Sequence, residues 1–239
     1  MIEIKDQCTA FPDHFPIRPV PRSHPMKYVF LTIFSLSAAI HLYASHKNNK
    51  KIRNITKPFL LLALLGFYLL ATEKVQILIV LALIFSWLGD VLLIPHGVKW
   101  FTAGGIAFMI SHFFFILGYR TDVVFARVPV WLIVLLGAIF VCLVSVIFSR
   151  LRKHLPKALF YPMFLYLLIN GTMNCFALFR LCSLQNLAGA VTGIGAALFF
   201  VSDSCLFFVR FNKESRMKSH FWVMLTYCLG EFLIVLGLV

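Results

Sequence analysis

The sequence predicts an all-α protein, a polytopic transmembrane helical bundle of about eight spanning helices. Three observations lead there. Of the 239 residues, 61% are hydrophobic and only 13% charged, against about 45–50% and about 25% in a typical water-soluble domain. Runs of about 20 apolar residues, the length of helix that crosses a hydrocarbon core, recur along nearly the whole chain. These Val/Ile/Leu/Phe runs lack the alternation of barrel strands, and lipid offers the backbone no hydrogen-bond partners, which leaves the helix as the spanning form.

In chain order, residues 1 to about 25 read as a disordered polar tail. Five prolines (Pro12, Pro16, Pro19, Pro21, Pro25) and charged residues leave it too little apolar surface to fold alone, and they occupy the place where a secretory signal would carry its apolar stretch. Residues 26–239 then form one membrane domain, with spans expected near 26–45, 58–72, 75–95, 100–119, 129–148, 159–180, 187–209 and 220–239. Pro58, Pro129 and Pro162 are placed in first turns, where a missing N–H costs nothing, and Pro95 closes the third span. Gly189-x-x-x-Gly193, continuing to Gly195, Ala196 and Ala197, reads as a small-residue face for close helix packing.

The net charge of +13 does not mark a nucleic-acid binder, because the basic residues sit in short loops and form no continuous face. Alternate crossing puts 14 of the 22 Lys and Arg on the side of loops 46–57, 96–99, 149–158 and 210–219. The positive-inside rule makes that side cytoplasmic and sends both termini outside. The sequon Asn54-Ile55-Thr56 is expected in the first of these loops, and Asn170-Gly171-Thr172 in mid-span. Five of the six cysteines lie in or beside apolar runs without a CxxC pair, so neither a disulfide framework nor a zinc site is expected.

No Lys or Arg is expected inside a long apolar run, whereas three acids are: Asp90, Asp203 and Glu231. An ionisable group there costs on the order of 2.5–3.5 kcal/mol, so it is read first as functional. Asp90, in Ser86-Trp87-Leu88-Gly89-Asp90, and Asp203, in Ser202-Asp203-Ser204, end the third and seventh spans, which cross in the same direction. Both then lie roughly 8–10 Å below the basic surface. Lys57, Tyr161, Tyr166, Tyr227, Glu231, His41, His112 and Asn170 fall in the same half or near mid-depth, and a polar cavity open to the basic loops would gather them. Helical spacing offers Ser86 as a hydrogen-bond partner for Asp90 and puts Asn170 and Asn174 on one face.

Metal catalysis would need a compact His/Cys/carboxylate set such as HExxH, and a serine nucleophile elbow would need GxSxG; neither motif is present. A GxGD element of an intramembrane aspartyl protease fails because Trp87 stands two residues before Gly89. The remaining chemistry is acid–base work by two carboxylates, one protonated and one ionised.

At these residues the sequence resembles the lysoplasmalogenase family of YhhN-like membrane proteins over about residues 26–239. The carriers are Thr56-Lys57-Pro58, Leu88-Gly89-Asp90 followed by Val91-Leu92-Leu93, Ser111-His112, the Tyr161/Tyr166 segment, and Gly195-Ala196 through Ser202-Asp203-Ser204. Where the family pattern would have a glutamine in the last span, this chain has Glu231. The resemblance implies an eight-helix ether hydrolase that cleaves the vinyl ether bond of choline or ethanolamine lysoplasmalogens to a fatty aldehyde and a glycerophospho-alcohol, with no metal or organic cofactor. Asp90 and Asp203 are then the expected catalytic pair. Lys57 would meet the substrate phosphate, with His112, Tyr166, Tyr227, Glu231 and Asn170 as further substrate-binding candidates. The expected partners are the lysophospholipid substrate and membrane lipids, with no nucleic acid and with room for a homo-oligomer. The expected location is the endoplasmic reticulum membrane. The alternative from a different class is a proton-coupled transporter or channel using the same buried acids, although no convincing internal repeat supports it.

Overall fold

The computed structural model describes residues 25–212 and 220–239. The tail of residues 1 to about 25, apart from its last position, and most of loop 210–219 lie outside the described residues. The described residues are mostly α-helical: α1 (Met26–His46), α2 (Lys50–Ala71), α3 (Ile77–Leu92), α4 (Val98–Arg120), α5 (Val130–Leu151), α6 (Phe160–Leu184), α7 (Leu187–Phe211) and α8 (His220–Leu236). Each expected span corresponds to one helix. Six are long and apolar enough to cross a membrane, while α3 and α8 are shorter, so the chain is an integral membrane protein built as a helical bundle.

α2 differs most from expectation. It begins at Lys50, eight residues before Pro58, because Asn49 caps it by accepting from the Ile52 N–H at 3.2 Å. Pro58 therefore lies inside the helix, where it cannot donate to the Asn54 carbonyl one turn back. The Pro58 carbonyl instead accepts the Trp87 indole N–H at 3.1 Å, which ties α2 to α3. The sequon Asn54-Ile55-Thr56 is thus helical rather than in a loop, and Lys57 is two turns inside α2.

A second departure is Arg180, expected to end the sixth span. α6 continues to Leu184, so the guanidinium is a buried side chain within the helix. It donates to Asp122 at 2.7 Å, to the Thr192 hydroxyl at 2.8 Å and to the Gly237 carbonyl at 3.1 Å. These bonds fasten the turn after α4, the second turn of α7 and the end of α8 around α6, and they neutralise a charge the interior would not otherwise tolerate.

The bundle is made of three tightly paired hairpins, α1/α2, α3/α4 and α7/α8, with α6 packed on both α4 and α7. α5 lies outside against α6, with only Val144 and Leu151 buried, and it presents Trp131, Val134 and Val141 outward. The α7/α8 contact depends on paired glycines. A Cβ on Gly195 would stand 2.6 Å from the Ile234 nitrogen, and one on Gly230 would stand 3.0 Å from the Gly195 carbonyl oxygen. Of the small-residue face, Gly189 presses on Leu181 of α6 and Gly195 on α8, whereas Gly193 touches only Leu178 at ordinary distance.

Candidate active site

Two half-sites form, each around one carboxylate. In the first, Asp90 of α3 is 1% exposed. Its Oδ2 accepts the Tyr227 hydroxyl of α8 at 2.7 Å, and its Oδ1 meets the Lys57 ammonium of α2 at 3.0 Å. The motif Thr56-Lys57-Pro58 is used at every position. Thr56 donates to the Ile52 carbonyl and so receives the His41 Nδ1–H at 2.8 Å, Lys57 reaches Asp90, and Pro58 holds Trp87. Gly89, just before Asp90, lets Phe108 of α4 lie against the α3 backbone, since a Cβ there would meet the ring at 2.5 Å.

In the second half-site, Asp203 of α7 takes its donors among the described residues on one oxygen. Oδ2 accepts the Tyr166 hydroxyl and, at 2.8 Å, the Asn170 side-chain amide, both from α6. His112 of α4 brings Nε2 within 3.2 Å of the Tyr166 oxygen and 3.5 Å of Asp203 Oδ2. Asn174 supports Asn170 from one turn on, as their shared face predicts. Phe199 and Phe108 stand between the half-sites. Phe199 meets the rings of both Tyr227 and His112 edge-on, at 5.5 and 4.9 Å, and Phe108 meets Phe199 at 6.1 Å. Because α3/α4 and α7/α8 are hairpins, each hairpin contributes one helix to each half-site. The pairing of hairpins thereby brings the two carboxylates together.

Both Asp90 and Asp203 line one cavity of about 130 Å³. Lys57, Tyr227 and the buried His41 share its wall, and Arg53, Arg210 and His220, none of them fully buried, line it toward its mouth. Of the other sequence candidates, Tyr166 lines a side extension of this cavity. His112, Asn170 and Glu231 do not reach the cavity wall; they are fully buried behind the carboxylates, and two of them hold Asp203. Tyr161 points away, 87% exposed, because α6 turns it outward five residues before Tyr166. Ser86 does not bond Asp90, whose oxygens are already engaged; it pairs with the Ser111 hydroxyl at 2.7 Å, and Ser111 donates to the Ala82 carbonyl.

Glu231 lies one turn below Tyr227 on α8, near Ser86, but the Ser86 hydroxyl is paired with Ser111 and neither Glu231 oxygen has a hydrogen bond of normal geometry among the described residues. The His112 Nδ1 atom is equally unpartnered. No three His, Cys, Asp or Glu side chains among the described residues stand close enough to hold a metal ion together.

Sequence reasoning missed the basic mouth. Arg53 and Arg210 read in the sequence only as topology charges and His220 drew no reading; the available signal is their position within one or two turns of helix ends on the same side as Asp90 and Asp203.

No curated protein and no solved structure matches this chain. The sequence profile of the YhhN family, however, matches residues 52–238, from the second turn of α2 to the end of α8, so it covers every element that supplies a side chain to the two carboxylates. The chain belongs to the YhhN family, the family of lysoplasmalogenase-like membrane proteins.

Proposed function

We propose that this protein is a lysoplasmalogenase, hydrolysing the vinyl ether of 1-alkenyl lysoglycerophospholipids by acid–base catalysis between Asp203 and Asp90. The observation that supports this most directly is the unequal load on the two carboxylates in one cavity. Both oxygens of Asp90 are occupied by donors, one of them a cation. Two donors, one of them a cation, favour the ionised form, so Asp90 begins the cycle as the carboxylate, with lone pairs left to take a proton later. Among the described residues Asp203 receives its donors on Oδ2, which suits a carbonyl oxygen and leaves Oδ1 to carry an acidic proton.

The reaction follows from that division. Asp203 gives the Oδ1 proton to the β-carbon of the vinyl ether, the alkene π pair forming the new C–H bond, and an oxocarbenium ion remains at the α-carbon. The Asp90 carboxylate faces that cation. Water adds to the α-carbon and passes a proton to Asp90, giving a hemiacetal. Asp203, now ionised, takes the hemiacetal hydroxyl proton while Asp90 returns its proton to the glyceryl oxygen, and the C–O bond between that oxygen and the α-carbon breaks. Aldehyde and glycerophospho-alcohol leave with both carboxyl groups restored. The roles parallel those of paired carboxylates in glycoside hydrolysis, where an oxocarbenium-like state is also flanked by an acid and a base. The basic mouth suits a phosphate at the glycerol end of the substrate.

The test is aldehyde release from purified protein given an alkenyl lysolipid. Asp90→Asn and Asp203→Asn should each lower the rate by about a hundredfold to ten-thousandfold, the usual worth of one acid or base, while the melting transition persists. Full activity in either variant rules out the paired-carboxylate mechanism. Wild-type protein that binds the lipid without turnover rules out the enzyme.

A further inference from the structure

The cavity that holds both carboxylates does not end at Asp203. A smaller hollow continues from it, sharing Asp203, Leu93, Phe108 and Leu206 with the cavity wall and adding Gly105 and Tyr166. A third hollow follows, sharing Gly105, Tyr166 and Phe207 with the second and running between α4 and α6. Among the described residues no charged side chain lines this last hollow. Two of its wall residues, Ile106 of α4 and Pro162 of α6, are exposed on the outer surface of membrane-spanning helices. It is therefore open sideways at a face that lipid covers. Along α4 it runs from Phe101 to Met109, about 12 Å at the helical rise.

Phe101 is the partition between the two ends. Its ring stands edge-on to Phe207 at 6.0 Å and to Phe211 at 5.1 Å, and the Arg210 guanidinium lies over it at 5.7 Å. Phe101 thus borders the charged cavity and both hollows, while Asp203 lines the cavity and the first hollow only.

We propose that the two hollows are the slot for the hydrocarbon chain of the lysolipid, which leaves the catalytic cavity past Asp203 and reaches the bilayer between α4 and α6, with Gly105 setting the width of the passage. The proposal rests on the function argued above and goes beyond it by assigning the chain a path and a specificity-determining residue. A molecule with an anionic head and an apolar tail fits a polar cavity joined to an apolar slot, and the join falls at the head–chain boundary. In an alkenyl lysolipid that boundary is the vinyl ether. The β-carbon, on the chain side of the bond, then faces Asp203, and the glyceryl oxygen, on the head side, faces Asp90. Gly105 is open on its slot face: a Cβ there would find nothing within 4 Å. A larger side chain at this position therefore enters the slot without displacing a neighbour.

The test compares Gly105→Phe with the wild type on two substrates, an octadecenyl lysolipid and its propenyl analogue, whose vinyl ether is complete but whose chain stops just beyond it. Gly137→Phe on α5, another glycine whose Cβ would meet nothing within 4 Å, controls for added apolar bulk. Gly105→Phe should lower the ratio of kcat/KM for the long chain over the short by about tenfold or more, as expected when roughly two or more methylenes lose their apolar contacts; Gly137→Phe should leave that ratio in place. A ratio unchanged in Gly105→Phe overturns the slot.

A second measurement is independent of turnover. An uncleavable 1-O-alkyl lysophosphatidylcholine with a diazirine at its chain end should label α4 and α6 around Met109 and Met163, and Gly105→Phe should suppress that labelling. Labels confined to the outward faces of α1 and α5 overturn the slot. Absence of aldehyde release by the wild type, with α4/α6 labelling intact, instead overturns the enzymatic reading and leaves the lipid path standing.

Discussion

Asp90 depends on a charged partner that enters from another helix. Lys57 lies along α2 with its stem in apolar surroundings and its ammonium on Asp90, where the two side chains are 16% and 2% exposed. Removing one member of a buried pair leaves an uncompensated charge and costs about 3–5 kcal/mol, whereas replacing both is far milder. Lys57→Met should therefore lower thermal stability markedly, and the double variant Lys57→Met with Asp90→Asn should recover most of that loss without recovering aldehyde release. Recovery of activity in the double variant would show that the pair serves folding alone. The same reasoning explains what the sequence hid at this scale. Lys57 stands only four residues, about one turn, past Arg53 in the charged stretch that opens α2, so it reads as a membrane-surface charge until α3 is seen beside it. Asn170 and His112 looked like substrate contacts because they are polar and at mid-depth. Their burial behind Asp203 instead makes them positioning groups for one carboxylate oxygen.

At the scale of helices, the site depends on how closely α7 and α8 approach. Asp203 is on one and Tyr227 on the other, and the Ser202 hydroxyl donates to the Val223 carbonyl at 2.9 Å, so the register of the pair also fixes the two half-sites relative to each other. Gly195 and Gly230 set the distance. Gly195→Ala puts a methyl against the Ile234 backbone, which cannot yield as a side-chain tip can, and should cost about 1–3 kcal/mol as an overpacked contact. Aldehyde release should fall with it, because separating the helices moves Tyr227 from Asp90. Gly193→Ala, two residues away with only a 3.6 Å contact to Leu178, should be neutral or stabilising, as alanine favours helix over glycine. Melting curves and rates for the two variants check this; equal effects would mean that the small-residue face acts only through composition. The sequence marked this face from its spacing alone. It could not tell which glycine meets which helix, since Gly189 and Gly195 lie on opposite sides of α7.

For the whole molecule, the number and order of helices were legible because apolar runs of membrane length leave the backbone little choice. That Asp90 and Asp203 belong to one cavity was legible because two spans crossing in one direction carry their acids toward the same end. The pairing of hairpins was not legible, and it brings Arg53 of α2, Arg210 of α7 and His220 of α8 around one mouth although they come from distant parts of the chain. That ring of basic groups lies at one end of the cavity, and the apolar slot leaves from the other side of Phe101, so the molecule is polarised for a lipid with an anionic head. If the ring binds phosphate, Arg53→Gln and Arg210→Gln should each raise KM for an alkenyl lysophospholipid by about threefold to tenfold, the range expected for one lost charged hydrogen bond, with kcat nearly unchanged. The effect should shrink with added salt, because these charges face water. An alkenylglycerol without phosphate supplies the comparison: its kinetics should be indifferent to both substitutions. Equal losses on the two substrates would mean that the arginines shape the cavity rather than read the headgroup, and the phosphate would then have to be held by Lys57 at the expense of its bond to Asp90.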